Sequence, residues 1–142
     1  MRMIEPGVYI APQIAPTDVA GLAAAGVRVI VNNRPDGEER RQPAGAAIRA
    51  ASEAAGVTYM DAPVAGGISA QAVGAMGHAL AGEGPVVAFC KSGMRSALVW
   101  AVVRAAEGRD VAALLEAARG AGVELGAYRG MLVGAGAAQP DS

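Results

Sequence analysis

One short segment of the chain carries the residue types needed for nucleophilic chemistry on an anion. The only cysteine, Cys90, is followed by Gly93 and Arg95, and the segment CKSGMRS lies between two apolar runs. A cysteine thiolate is a strong nucleophile. The backbone N–H groups of a glycine-containing loop and of a helix N-terminus bind anions, and the arginine guanidinium adds a fork for two oxygens. The segment therefore predicts a loop that binds an oxyanion beside a thiolate.

The same loop is expected to keep Cys90 ionised. A helix N-terminus and nearby cations lower the pKa of a cysteine from about 8.5 toward about 3.5–7.5. We expect Ser96 to cap the following helix and to donate its hydroxyl to the thiolate, so that Cys90, Arg95 and Ser96 are candidate catalytic residues. The alternative is that Cys90 is a small buried apolar residue and that the loop cations lie in solvent. The candidate substrate-binding residues of the loop are Lys91, Ser92, Gly93 and Met94.

The elements around this loop predict an α/β fold. Strands separated by helices of about ten residues form mainly parallel sheets. We predict one domain over residues 1–136, with a mainly parallel sheet of four to five strands flanked by helices, and a flexible tail over 137–142. Ligands bind at the carboxyl ends of such strands, where Cys90 is expected. The predicted strands are 7–13, 27–33, 57–64 and 84–89, and the predicted helices are 16–26, 43–55, 70–82, 96–107, 110–119 and a last short one over 123–133.

The composition argues against several classes of function. The 142 residues include 12 basic and 13 acidic residues, and only 4% are aromatic. The chain therefore lacks the basic excess and the stacking residues of nucleic-acid-binding proteins. A single cysteine cannot form an internal disulfide and fits a reducing compartment. Because the N-terminal residues do not resemble a signal peptide and no apolar run reaches about 18 residues, we expect a cytoplasmic protein without a membrane partner.

An acidic segment, RPDGEE, offers candidates for proton transfer. Asp36 is the candidate general acid, and Asp61 is the alternative. Glu38 and Glu39 could orient a substrate, or they could belong only to a turn, because Pro and Gly in this order favour turns. Arg34 is a candidate substrate-binding residue that adds positive potential, or it pairs with an acid of its own loop.

The single histidine, His78, lies on a predicted helix, distant in sequence from Cys90. A Cys–His dyad is one alternative, and a helix histidine without a catalytic role is the favoured one. Structural zinc needs four ligands and catalytic zinc about three, so one histidine and one cysteine make a poor metal site. We predict no metal and no cofactor.

Four segments carry a resemblance to a known family, in the family's order and over most of the chain. They are VRVIVNNRPDGEE (27–39), YMDAPVAGGIS (59–69), GPVVAFCKSGMRSALVW (84–100) and AARGAGVELGAYRGML (117–132). They resemble a small bacterial family, the phosphatase-like domain of beta-lactamase-hydrolase-like proteins, also described as a sulfur transferase family. The resemblance implies a fold like that of dual-specificity phosphatases, a catalytic Cys90 and an anion-binding Arg95. The family name also suggests a functional link to a metallohydrolase.

Departures from the phosphatase pattern favour sulfur chemistry. Tyrosine and dual-specificity phosphatases carry His before the cysteine and five residues between Cys and Arg. Here Phe89 precedes Cys90, and four residues separate Cys90 from Arg95, a spacing that resembles the single-domain rhodaneses. The segment PVAGGIS, where a phosphatase would hold its general acid, contains no acid, and a sulfane-sulfur donor needs none.

Three hypotheses follow for the function. The first is a sulfur transferase in which Cys90 takes a sulfur atom from a small anionic donor, forms a persulfide and passes the sulfur to a thiol acceptor. The alternative is a phosphomonoester hydrolase that forms a phosphocysteine at Cys90, with Asp36 or Asp61 as the acid. The third is a non-enzymatic module that senses an oxyanion or a redox state through Cys90.

Overall fold

The computed structural model describes residues 1–139, which form five strands and six α-helices. The strands are β1 (Arg2–Glu5), β2 (Val8–Ala11), β3 (Val29–Asn32), β4 (Thr58–Asp61) and β5 (Val86–Phe89). The α-helices are α1 (Val19–Ala24), α2 (Gly45–Ala54), α3 (Ala70–Ala81), α4 (Met94–Ala106), α5 (Val111–Gly120) and α6 (Arg129–Gly134). Short 3₁₀ turns over Pro16–Asp18 and Gly126–Tyr128 precede α1 and α6. The predicted α/β architecture is confirmed.

The strands form one sheet in the order β1-β2-β5-β3-β4, in which only β1 runs antiparallel to its neighbour. The register aligns the last residues of the four parallel strands, so that Ala11, Phe89, Asn32 and Asp61 form one row. The segments that follow these residues therefore leave the sheet along a single edge. Cys90 follows the central strand, β5, at the middle of that edge.

Apolar side chains cover both faces of the sheet, as expected when helices pack on each side of parallel strands. On one face, Ile30 and Phe89 pack with Val19 of α1 and Ile48 of α2. On the other face, two clusters that include Val31, Ala88 and Trp100 join the sheet to α3, α4, α5 and α6. All four residues of β5 are buried, and this strand fixes the position of the cysteine loop.

Strand β1 was not predicted from the sequence. Its residues RMIE do not show the regular alternation of apolar and polar side chains that is typical of a strand, and only Ile4 is buried. The signal for it lies in the turn between β1 and β2, where Pro6 precedes Gly7 and Gly7 has φ of 80°. Pro followed by Gly at positive φ is typical of a tight turn between two strands.

The helix N-termini show how two of the predicted helices begin. Ser69 accepts a hydrogen bond from the Ala72 amide at 3.1 Å and caps α3, the helix predicted over 70–82. Helix α4 begins at Met94 instead of Ser96, because Gly93, with φ of 99°, serves as its N-cap residue. In the described part of the chain, no helix has the length and apolar character needed to cross a membrane.

The C-terminal residues remain in contact with the domain beyond the predicted boundary at residue 136. Ala137 is buried, and Ala138 exchanges backbone hydrogen bonds of 2.8 Å with Arg109 and Val111. The predicted flexible tail therefore includes two packed residues, and its last residues, 140–142, lie outside the described residues.

Candidate functional site

The candidate site is the loop between β5 and α4 at the carboxyl edge of the sheet. The loop is short because α4 begins four residues after Cys90. The first intrahelical bond runs from the Ala97 amide to the Gly93 carbonyl. The amides before Ala97 belong to the first turn of the helix, where backbone N–H groups have no intrahelical acceptor. The sequence prediction of a helix N-terminus directed at this loop agrees with this geometry.

Cys90 lies buried at the base of the loop, with no exposed surface. Its sulfur accepts a hydrogen bond from the Gly93 amide at a distance of 3.0 Å. Gly93 adopts a left-handed conformation, which turns the chain back over the cysteine at little cost for a residue without Cβ. The loop backbone therefore places an N–H dipole against the sulfur.

Ser96 does not have the contacts predicted for it. It lies inside the first turn of α4 and does not cap the helix. Its Oγ is buried and has no hydrogen-bond partner among the described residues, so the expected donation to the Cys90 sulfur is not made here. Ser96 follows Arg95 in sequence, but its hydroxyl is not part of the hydrogen-bonded site.

Arg95 crosses from α4 to two neighbouring loops. Its Nη1 and Nη2 atoms donate to the two carboxylate oxygens of Glu38, both at 2.8 Å. Nη1 also donates to the carbonyl of Val64 at 3.0 Å. Hydrogen bonding to Glu38 raises the pKa of Arg95 above its ordinary value, and the nearby Cys90 acts in the same direction. Arg95 therefore lies close to the cysteine while its outer edge is fixed by other residues.

Glu38 and Glu39 connect three cations into one chain of ion pairs. Glu38 binds Arg34 as well as Arg95, and Glu39 binds Arg34 and Lys91, with distances of 2.8–2.9 Å. Hydrogen bonding by Arg95 lowers the pKa of Glu38 from 4.5 to about 2. Glu38 is thus charged at neutral pH and is unsuited to donate a proton.

Arg34 is buried and makes three side-chain contacts. Nη1 donates to the Gln13 amide oxygen, and Nε and Nη2 donate to Glu38 and Glu39, each at 2.9 Å. Of the two sequence alternatives, pairing with acids of its own loop is the one observed. Arg34 supports the loop that holds Arg95, and its own donors are not directed at a substrate. Gln13 was not singled out from the sequence.

The two candidate general acids are bound to other groups. Asp36 accepts a hydrogen bond of 2.8 Å from the Gly45 amide at the start of α2. Asp61 accepts from the Tyr59 hydroxyl at 2.6 Å and pairs with Arg49 at 3.2 Å. Burial, and next the hydrogen bond to Asp61, raise the pKa of Tyr59, so the tyrosine remains a donor. Both aspartates line a cavity of about 380 Å³ whose lining does not include Cys90.

The remaining loop residues lie at the mouth of the site. Lys91, Ser92 and Met94 are exposed, and Ser92 lines two adjoining cavities of about 360 and 350 Å³. These cavities offer room for the part of a substrate that extends beyond the loop. His78 is exposed in the last turn of α3. Because α3 runs from the carboxyl edge back toward the opposite edge, a Cys–His dyad is not formed.

This combination of a mainly parallel sheet, a central strand ending in cysteine and a glycine-containing loop with an arginine defines a phosphatase-like α/β domain. Residues 1–107 match the model of the family described as beta-lactamase hydrolase-like protein, phosphatase-like domain. The chain belongs to this family. The resemblance noted from the sequence is therefore confirmed.

Two curated proteins named beta-lactamase hydrolase-like protein are similar to this chain. The protein of Agrobacterium fabrum is 40% identical over 100 residues, which are 69% of this chain and 23% of that protein. The protein of Xylella fastidiosa (strain Temecula1) is 42% identical over 89 residues, which are 61% of this chain and 21% of that protein. The chain spans less than a quarter of the length of these relatives.

Solved structures support the fold over nearly the whole chain. A protein of Neisseria meningitidis Z2491, described as a candidate phosphatase, is 38% identical and superposes with a TM-score of 0.79, covering 94% of this chain and 96% of that chain. A protein named Tk-PTP, in its active form, is 17% identical and has a TM-score of 0.69, with 94% and 92% covered. The second similarity is one of fold alone.

Proposed function

We propose that this domain is a phosphomonoester hydrolase that acts through Cys90. The observation that carries the proposal is the hydrogen bond from the Gly93 amide to the Cys90 sulfur, with the Arg95 guanidinium held beside the same loop. Membership of a phosphatase-like family and similarity to a candidate phosphatase support the same chemistry. Phosphoryl transfer depends mainly on positioning and charge stabilisation, which a cationic loop of this kind supplies.

The reaction has two steps. The Cys90 thiolate attacks phosphorus, an S–P bond forms, and the P–O ester bond breaks with its electron pair leaving on the oxygen. The leaving group takes a proton from solvent unless it departs as a stable anion. Water then attacks phosphorus and breaks the S–P bond, which releases inorganic phosphate and restores the thiolate. Arg95 and the loop amides bind the phosphoryl oxygens in both steps.

The test is hydrolysis of an aryl phosphate by the wild-type protein and by Cys90→Ser. The wild type should release phosphate, and Cys90→Ser should lose the activity while its near-ultraviolet circular dichroism keeps the signal of the buried Trp100. Rapid acid quenching should trap one phosphoryl group on the Cys90 peptide of the wild type. Equal phosphate release by the two proteins would refute the proposal.

Sulfur transfer is the second candidate, because a specific set of observations favours it. Only four residues separate Cys90 from Arg95, and the aspartates that could protonate a leaving oxygen are bound elsewhere. In this reaction the thiolate attacks the outer sulfur of thiosulfate, an S–S bond forms, the S–S bond of the donor breaks and sulfite leaves. The persulfide then transfers its outer sulfur to a thiol or to cyanide. Thiocyanate formation without phosphate release would establish this candidate over the hydrolase.

A further inference from the structure

We propose that Glu38 is a positioning residue that holds Arg95 by one edge of its guanidinium and so leaves the opposite edge free to bind an oxyanion. This inference rests on the proposed function of the Cys90 loop as an oxyanion site.

The donors of Arg95 divide into two groups. A guanidinium has five N–H groups in a fixed planar arrangement. Three of them are used, since Nη1 donates to Glu38 and to the Val64 carbonyl, and Nη2 donates to Glu38. The two others, on Nε and Nη2, have no oxygen acceptor among residues 1–139, and the Cys90 sulfur lies near the same guanidinium. They point in parallel from one edge, and parallel N–H groups are the geometry that binds two oxygens of one phosphate or carboxylate.

The Arg95 guanidinium lies near both the carboxylate and the cysteine loop. Arg95 belongs to the first turn of α4, directly after this loop, and Glu38 and then Cys90 raise its pKa. A long arginine side chain loses considerable rotamer freedom when it is fixed. Glu38 and Val64 impose this loss in the folded protein, before any substrate arrives. A ligand therefore binds to an Arg95 guanidinium whose N–H donors are already oriented.

Glu38 is itself held in place by a buried group. The Arg34 side chain is only 4% exposed, and it donates to Glu38 from Nε. Gln13 and Glu39 bind the other nitrogens of Arg34. Arg34 and Glu38 therefore connect Arg95 to the interior of the carboxyl edge.

The opposite interpretation is that Glu38 occupies the arginine in place of the substrate and must be displaced. The two interpretations predict opposite effects of Glu38→Gln on binding of inorganic phosphate. A positioning role predicts that Glu38→Gln weakens binding by about tenfold, the order expected when the arginine must be ordered at the moment of binding. A competing role predicts tighter binding.

Glu39→Gln is the matched control, because Glu39 lies next to Glu38 and shares Arg34 but does not contact Arg95. It removes the same charge as Glu38→Gln, so it measures the general electrostatic gain for an anion without the loss of a contact to Arg95. We expect Glu39→Gln to bind phosphate as tightly as the wild type or up to about threefold more tightly. Unfolding midpoints of both variants verify that they fold.

A direct measurement uses nuclear magnetic resonance on the wild type. Added phosphate should shift the Nε–H signal of Arg95 and leave the carboxyl carbon signal of Glu38 in place. A large shift at Glu38, or phosphate binding by Glu38→Gln as tight as by Glu39→Gln, would overturn the positioning role. Phosphate binding without hydrolysis by the wild type would count against the hydrolase and not against this role. Hydrolysis that Glu38→Gln does not impair would count against this role alone.

Discussion

Replacing Gly93 by alanine tests whether the loop backbone builds the site. Gly93 has φ of 99° and ψ of −15°, a conformation in which L-residues are strained by about 1–2 kcal/mol. The space is open enough for the methyl group, since the nearest atom to a new Cβ is the Ala11 carbonyl oxygen at 3.6 Å. The loss of stability therefore comes from the backbone and not from a clash. In a domain of this size it lowers the melting temperature by about 2–8 °C.

The expected loss of activity in Gly93→Ala is larger than the loss of stability explains. Relaxation of the strain moves the Gly93 amide, which donates to the Cys90 sulfur at 3.0 Å. A displacement of about 1 Å in a reacting group can cost about 100-fold in rate. We therefore expect kcat/KM for an aryl phosphate to fall by roughly 100-fold.

Gly26→Ala is the control for strain alone. Gly26 has the same φ of 99°, no atom within 4 Å of a new Cβ, and a position at the end of α1. It should lose similar stability and keep its activity. Thermal unfolding of both variants measures the loss of stability, and steady-state kinetics measures the loss of activity. If Gly93→Ala retained kcat/KM within about threefold of Gly26→Ala, the proposal that the loop amides form the anion site would be refuted.

Two further predictions concern the acidic residues. Because Asp36 and Asp61 are bound to other groups, Asp36→Asn and Asp61→Asn should each change kcat/KM for an aryl phosphate with a poor leaving group by less than about threefold. A general acid contributes about 10²–10⁴-fold for such a substrate, and a fall that grows with the pKa of the leaving group would identify the acid. The lowered pKa of Glu38, about 2, gives a stabilisation that is complete above the ordinary pKa near 4.5 and is lost as the pH falls through about 2. Urea-unfolding midpoints of the wild type and Glu38→Gln should therefore differ at neutral pH and converge in strong acid, and a constant difference across this range would contradict the ion pair.

The sequence could predict the parts of the fold and site that depend on local patterns. The run Val86–Phe89 is entirely apolar and is buried on both faces, as a central parallel strand must be. Cysteine, glycine and arginine after such a strand indicated the loop, and Gly93 has the positive φ that its tight path needs. These features are encoded within about ten residues of one another.

Contacts between distant segments could not be predicted in this way. Glu38 and Arg95 are separated by 57 positions, and nothing in the segment RPDGEE indicates which cation each acid binds. The Val64 contact is made by a backbone carbonyl, so the residue type at this position does not indicate it. The type and position of Asp36 make it a candidate general acid, but they do not indicate that the Gly45 amide at the start of α2 binds its carboxylate.

The prediction of sulfur chemistry over phosphorus chemistry rested on the length of the loop. Four residues between Cys90 and Arg95 differ from the usual phosphatase spacing, yet the chain belongs to a phosphatase-like family. In this shorter loop the Gly93 amide still reaches the sulfur, and Arg95 leaves α4 in its first turn. Loop length alone therefore does not decide between the two reactions.

The alternation of charge at the site also bears on how a ligand arrives. Lys91, Arg34 and Arg95 share two carboxylates, so most of their positive charge is balanced within the site. Such an edge has little net field beyond contact distance, unlike the single-sign clefts that draw charged substrates by long-range steering. Capture then depends on short-range fit to the fork and the loop amides, and the encounter rate should change little with ionic strength. If the loop is the oxyanion site that we propose, selection among anions should depend on shape after contact and not on attraction at a distance.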